Sequence, residues 1–293
     1  MNKRIRAWIA AASALAAACG VALLPITVQA AAPPVAPPLP SSMASTGDSI
    51  TRAFDVGWCC LLSDAPQFSW STGTDAQVNS QYQRLLALNP GISGRVFNDA
   101  KTGAKMWDLN GQLTTVATRK VDYVTVLMGA NDVCTSTIAG MTTPLDFQNQ
   151  LRGALTNFFA ASPTTKMQLL SIPDIYQLYL AGKDSASARN AWSFYGICQS
   201  MLRSSNTDAD RKAVSDREAA FNSILAAECA KFPDCLWDDL ASFNFRFPLS
   251  DLSPIDYFHP NINGQNDAAS ISWAKTFWAN AAPPPPPPCG EDC

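Results

Sequence analysis

Ser49, Asp256 and His259 are the residues whose types could do chemistry together. His259 is the only histidine in 293 residues, so any mechanism that needs an imidazole must use it. A serine hydroxyl is a weak nucleophile near neutral pH and must surrender its proton to a base. Imidazole, with an ordinary pKa of about 6.5, takes and returns a proton in that range. A carboxylate can fix its tautomer and stabilise its cation. Asp256 stands three residues before His259; Asp251, eight residues before, is an alternative that is harder to arrange locally. Attack on an ester carbonyl also builds an oxyanion, which needs fixed donors. The candidates are the backbone N–H groups of Ser49 and Gly103 and the side-chain amide of Asn131. Glycine at 103 lets the backbone come close to a substrate.

The polar residues beside these read as structural. Asp48 is expected to hold the turn that presents Ser49, Asp132 to order the loop of Asn131, and Asn98 to brace its own turn. Ser49 taken alone could be only a helix N-cap; the coincidence of several such segments is what points to chemistry. One histidine and no C-x-x-C pair leave no multi-histidine zinc site, and H-E-x-x-H is impossible. No metal and no cofactor are expected. The stretch from Gly57 to Gly73 lacks periodicity, and long loops often carry binding function. Trp58, Phe68 and Trp70 within it are the candidates for an acyl pocket, although aromatic residues also fill cores.

Strand-like and helical segments alternate around these positions. Met43–Thr46, Arg95–Asn98, Tyr123–Met128, Met167–Ile172 and Cys235–Trp237 read as strands. Asp75–Leu88, Ala104–Thr118, Pro144–Ala160, Ala209–Lys231 and Gly264–Trp278 read as helices. Alternation of this kind predicts an α/β fold with a parallel sheet covered on both faces. Ligand sites in such sheets lie beyond the carboxyl ends of the strands. Gly47-Asp48-Ser49, Asn98 to Gly103 and Gly129 to Asp132 each follow a predicted strand, so the topology should carry them to one rim.

The ends of the chain read differently. Lys3, Arg4 and Arg6, an apolar run to Leu24 and Val28-Gln29-Ala30 predict a signal peptide over residues 1–30. A membrane anchor would need a longer unbroken run than Pro25 allows, and a lipoprotein reading at Cys19 is disfavoured by Ala16 three residues before it. Residues 31–40 read as an exposed Pro-rich leader, 41–282 as one domain, and 283–293 as a Pro-rich tail with a cysteine pair. Cleavage leaves 263 residues, with 18 basic against 24 acidic, a net of −6. That length supports one full core. The charge argues against nucleic-acid binding, and no run after residue 30 is long enough to span a membrane. The expected partner is therefore an ester substrate and the expected state a monomer. Eight cysteines remain, an even count suited to disulfides in an exported chain. Proximity makes Cys229–Cys235 and Cys289–Cys293 plausible loops, and Cys134–Cys198 would close a long loop beside the site. Cys59 and Cys60 are expected to pair with separate partners.

Taken in order, Gly47-Asp48-Ser49-Ile50, Asn98 to Gly103, Gly129-Ala130-Asn131-Asp132 and Asp256-x-x-His259 resemble the four blocks of the GDSL, or SGNH, hydrolase family. Ile50 stands where the signature has leucine. The resemblance spans residues 47–259 and implies the flavodoxin-like three-layer α/β/α fold, metal-free ester hydrolysis and a Ser-His-Asp site. Phe68 to Gly73, Asn98 to Ala104 and Gly129 to Cys134 are also similar to the phospholipase-B-like branch, which implies lipid deacylation. The expected function is thus a secreted serine carboxylic ester hydrolase, an esterase or lipase working through an acyl-enzyme. Two alternatives stay open: an acetyl esterase acting on polysaccharide, with a shallow polar cleft, and a non-catalytic surface binding protein on the same fold.

Overall fold

The computed structural model describes residues 36–281. Five strands form one sheet: β1 (Met43–Gly47), β2 (Val96–Asn98), β3 (Tyr123–Leu127), β4 (Lys166–Leu169) and β5 (Cys235–Trp237). All neighbours are parallel, in the order β2-β1-β3-β4-β5. Every residue of β1 and β3 is buried, as expected of central strands covered on both faces. The order reverses at β1, between β2 and β3, and such a reversal opens a crevice beyond the strand ends.

The helices are α1 (Gln81–Leu88), α2 (Leu109–Arg119), α3 (Ala130–Val133), α4 (Pro144–Ala161), α5 (Ile175–Gly182), α6 (Ala186–Phe194), α7 (Gln199–Leu202), α8 (Asp208–Cys229), α9 (Ala241–Asn244) and α10 (Ile262–Trp273). α2, α4 and α8 pack side by side, and α1 packs with α10. Right-handed crossovers put these two groups on opposite faces of the sheet. The result is the three-layer α/β/α arrangement, as the sequence pattern predicts.

Several boundaries differ for local reasons. The helix expected from Asp75 starts at Gln81, because the Ser80 hydroxyl accepts from the Gln83 N–H and caps it there. Asp75 instead accepts from the Gln77 N–H and holds a turn. The last helix starts earlier than Gly264, since the Asn261 side chain accepts from the N–H groups of Asn263 and Gly264. It ends at Trp273 rather than Trp278. No helix follows Ser49: Ala53 (φ 48°) and Asp55 (φ 51°) take left-handed backbone, so the chain turns back after one loop.

The part of the leader that is described is not detached. Leu39 packs against the cluster of Met43, Tyr82, Leu85 and Trp278, and the Trp278 indole N–H donates to the Pro37 carbonyl at 2.9 Å. The signal peptide, the rest of the leader, the tail and the Cys289–Cys293 pair lie outside the described residues. Cys134–Cys198 and Cys229–Cys235 are disulfides. Cys59 and Cys60 carry none among the described residues, and the cysteines left to pair with them, Cys289 and Cys293, lie outside those residues. They sit side by side in one surface turn, with sulfurs 2.7 Å apart.

Candidate active site

β1 delivers the nucleophile turn to the carboxyl rim of the sheet. Gly47 (φ 145°) ends the strand, and a Cβ there would collide with the Leu127 carbonyl and the Thr51 hydroxyl. Only glycine allows this close approach. Gln112 of α2 replaces a strand neighbour: its Oε1 accepts from the Gly47 N–H at 2.8 Å and its Nε2 donates to the Gly47 carbonyl at 2.9 Å. From the other side, Gln265 of α10 donates to the Ile50 carbonyl at 3.0 Å. Asn98 donates to the Thr51 carbonyl at 2.9 Å and to the Thr72 hydroxyl at 3.0 Å, so it braces the nucleophile turn as well as its own.

Ser49 Oγ lies 2.8 Å from His259 Nε2, and His259 Nδ1 lies 2.5 Å from Asp256 Oδ2. The other Asp256 oxygen accepts the N–H groups of Phe258 (2.8 Å) and His259 (3.0 Å). Those bonds fix the carboxylate, which fixes the ring, leaving Nε2 aimed at the serine oxygen. Asp256 is 1% exposed. The His259 ring is held edge-on between Phe54 and Phe258, with centroids 5.0 and 5.1 Å away. A relay of this kind can move the serine proton onto the imidazole while the buried carboxylate stabilises the cation. Asp251, the alternative carboxylate, accepts from Ser250 and is not part of this relay.

The segment from Leu252 to Pro260 closes on itself like a hairpin. The two ends form an antiparallel bridge, and the Ser253 N–H donates to the His259 carbonyl at 2.7 Å. Asp55 pins this segment to the nucleophile turn by accepting from the Ser253 hydroxyl at 2.9 Å. Burial raises the Asp55 carboxyl above its ordinary range, against the N–H of Leu62 that lowers it.

Gly103 (φ 78°) follows β2, and a Cβ there would meet nothing within 4 Å, so its backbone faces open space. The N–H groups of Ser49 and Gly103 donate to no acceptor among the described residues. Asn131 follows β3 and spends one amide proton on the Ala104 carbonyl at 3.0 Å, which ties the two loops together. These three donors and the Ser49–His259 pair all lie beyond the carboxyl ends of β1, β2 and β3 or on the loop packed against them.

Two buried acids support the rim. Asp48 accepts from the Ile50 N–H at 2.9 Å, but its second oxygen has no partner. Burial pushes its pKa up to about 6. Asp132 accepts from the Thr142 hydroxyl at 2.7 Å and the Met106 N–H at 2.9 Å, and burial pushes it to about 6 as well. Both hold turns, as their places in the sequence suggest.

The three aromatic residues proposed for an acyl pocket separate. Trp58 stands 76% exposed on its turn and does not line the apolar slot. Phe68 is buried in a small cluster with Ala53, Val56 and Val78. Only Trp70 lines an apolar slot, together with Ile50, Leu127, Phe258 and residues of α5 and α10. Ile50 and Phe258, which line it, are the sequence neighbours of Ser49 and His259; Ser49 and His259 themselves do not line it. Its empty space, open mouth included, is about 730 Å³. Its other walls, including Leu178, Phe245, Phe247 and Ile271, are not among the residues the sequence singles out. The apolar run Ile175–Leu180 was the available signal, but nothing local says which cavity it faces. No group of histidine, cysteine, aspartate or glutamate side chains among the described residues could hold a metal ion.

The model of the GDSL-like lipase/acylhydrolase family matches residues 45–266. No curated protein sequence matches the chain. Among solved structures, an α/β hydrolase enzyme from the metagenome of Lake Arreo, Spain, superposes with a TM-score of 0.52 at 18% identity, covering 80% of this chain and 94% of that one. An extracellular lipase from Streptomyces rimosus (TM-score 0.46, 18% identity, 80% and 99% covered) and phospholipase A1 from Streptomyces albidoflavus (0.46, 16%, 80% and 99%) are also similar. The first of these shares the fold. The family match covers most of the chain and contains Ser49, Gly103, Asn131, Asp256 and His259. The chain is a hydrolase of the GDSL-like lipase/acylhydrolase family.

Proposed function

We propose that this protein is an exported serine carboxylic ester hydrolase that cleaves esters of unbranched acyl chains. The observation that carries the reading is the hydrogen-bonded relay from Ser49 through His259 to Asp256. Ser49 Oγ attacks the ester carbonyl carbon while its proton passes to His259 Nε2. The carbonyl oxygen becomes an oxyanion, met by the N–H groups of Ser49 and Gly103 and the Asn131 amide. Collapse breaks the bond to the alcohol oxygen, which takes the proton from His259 and leaves an acyl-serine. Water, deprotonated by the same imidazole, then releases the acid and restores the serine.

The apolar slot lined by Ile50 and Phe258 favours an acyl chain over a polysaccharide acetyl group. An apolar recess accepts a methylene chain and gains from burying it, at about 0.8 kcal/mol per CH₂. An acetyl group would leave it empty. Export is supported by the leader pattern at residues 1–30 and by two disulfides, which persist in oxidising compartments. Among the described residues, no helix is long and apolar enough to cross a membrane. The test is a series of p-nitrophenyl esters from acetyl to palmitoyl, with Ser49→Ala as the control. Ser49-dependent hydrolysis that rises beyond acetyl is expected. A sharp preference for acetyl would transfer the reading to the acetyl esterase, and full activity in Ser49→Ala would remove it.

A further inference from the structure

A second cavity, of about 340 Å³, lies among α5, α6, α7 and the first turn of α8. No residue of the Ser49–His259 site lines it. Its charged lining is entirely cationic: Lys183, Arg189, Arg203 and Arg211. The uncharged lining includes the Tyr179 ring and the Trp192 indole.

None of the three arginines has a carboxylate partner among the described residues. Neutral carbonyls hold them instead. Arg189 donates to the Lys183 carbonyl at 2.6 Å, Arg203 to the Ser136 carbonyl at 3.1 Å, and Arg211 to the Arg203 carbonyl at 3.0 Å. Carbonyls orient a guanidinium without cancelling its charge. Arg211 is 5% exposed, its Nε has no acceptor, and its guanidinium lies 4.2 Å over the Tyr179 ring. Asp184 pairs with Lys183 from the solvent side, 87% exposed. Asp210, next to Arg211 in sequence, spends its carboxylate on the Thr207 N–H and hydroxyl, both at 2.8 Å. Elsewhere Arg52, Arg119, Arg152 and Arg246 each meet an acid, while Arg84 and Arg217 stand singly on neutral acceptors rather than gathered in one recess.

In a chain of net charge −3, a recess lined by four cations and no acid is not a consequence of composition. Like charges held in a partly dry recess repel, and a bound anion would offset that cost. Pre-oriented guanidinium forks match tetrahedral oxyanions, which accept two parallel hydrogen bonds. We propose that this cavity binds a phosphate-type oxyanion, as free phosphate or as the headgroup of an anionic lipid. Its recess is larger than a bare ion needs, which leaves room for the group esterified to it.

The test titrates the protein calorimetrically with inorganic phosphate and, in parallel, measures flotation with vesicles of phosphatidylglycerol or of phosphatidylcholine. Phosphate binding is expected, weakened about tenfold or more per arginine in Arg189→Gln and Arg203→Gln. p-Nitrophenyl butyrate hydrolysis should be unchanged in both, which also reports that they fold. Both side chains are at the surface; if either variant fails to fold, Lys183→Gln should give the same direction of loss. Binding to phosphatidylglycerol vesicles alone, lost in the same variants, supports the site and identifies a headgroup as the source. No binding to phosphate or to phosphatidylglycerol vesicles, or binding untouched by these substitutions, overturns it.

Discussion

The indole N–H of Trp192 donates to the main-chain carbonyl of Tyr257 at 3.0 Å. Trp192 is buried in α6, and Tyr257 takes left-handed backbone (φ 55°) between Asp256 and the Phe258-His259 pair. A non-glycine residue held there costs of order 1 kcal/mol and persists only when its surroundings insist on it. The Tyr257 N–H is held as well, donating to the Ser253 carbonyl at 3.0 Å. Trp192 thus braces the bend that brings Asp256 back onto the His259 ring.

Trp192→Phe keeps an aromatic ring and removes the donor. Loss of one buried hydrogen bond is worth about 1–2 kcal/mol, so kcat should fall by roughly 5- to 30-fold with KM little changed. Steady-state kinetics well below the Tm of both proteins checks this. An unchanged kcat would mean that the bend holds without its brace.

The relay predicts larger losses. Ser49→Ala or His259→Ala should lower kcat by a factor on the order of 10⁴ or more. Asn131→Ala should cost about 10²–10³, as for one oxyanion donor, with a part of that from the lost tie to Ala104. Burst-phase kinetics on p-nitrophenyl esters would register the acyl-serine in the parent and its absence in Ser49→Ala.

The slot makes a chain-length prediction. Ala268 of α10 lines it, and Ala268→Phe should narrow it. Decanoyl ester hydrolysis is expected to drop by about tenfold or more in kcat/KM, the equivalent of two lost methylene contacts, while acetyl ester hydrolysis stays level. Equal loss on both esters would place the acyl chain elsewhere.

Asp48 predicts a pH dependence of stability. Its pKa rises from 3.8 to about 6 on folding, so between these values the folded chain binds a proton that the unfolded chain has released. Stability from this group is therefore greatest below about pH 4 and declines as the pH climbs through 6. Asp48→Asn keeps an oxygen for the Ile50 N–H and removes the buried charge. It should raise stability at pH 8 by up to about 3 kcal/mol and by little at pH 4. Thermal unfolding at the two pH values decides: an equal effect at both would disprove the assignment.

The proposed chemistry of this protein is legible in its sequence because its residues are encoded locally. A lone histidine, a carboxylate three residues before it and glycine-flanked turns after apolar strands are short-range patterns, and alternation of strand and helix supplies the rim that gathers them. The core of each expected element followed from periodicity, with boundary errors at caps such as Ser80 and Asn261, where one side-chain hydrogen bond outweighs propensity; the shorter helices α5 and α6 carry no periodic run long enough to have been expected. Tertiary structure alone decided the rest. Phe68 and Trp70 are two residues apart, yet one fills a core cluster and the other lines the slot. Whether an aromatic side chain meets core, cavity or water depends on segments far away in the chain. The slot is walled by residues from Ile50 to Ile271, the basic cavity from α5 to α8, and the Trp192–Tyr257 brace spans 65 residues. Enclosed volume and unneutralised charge are properties of assembled surfaces, and no window along the chain contains them.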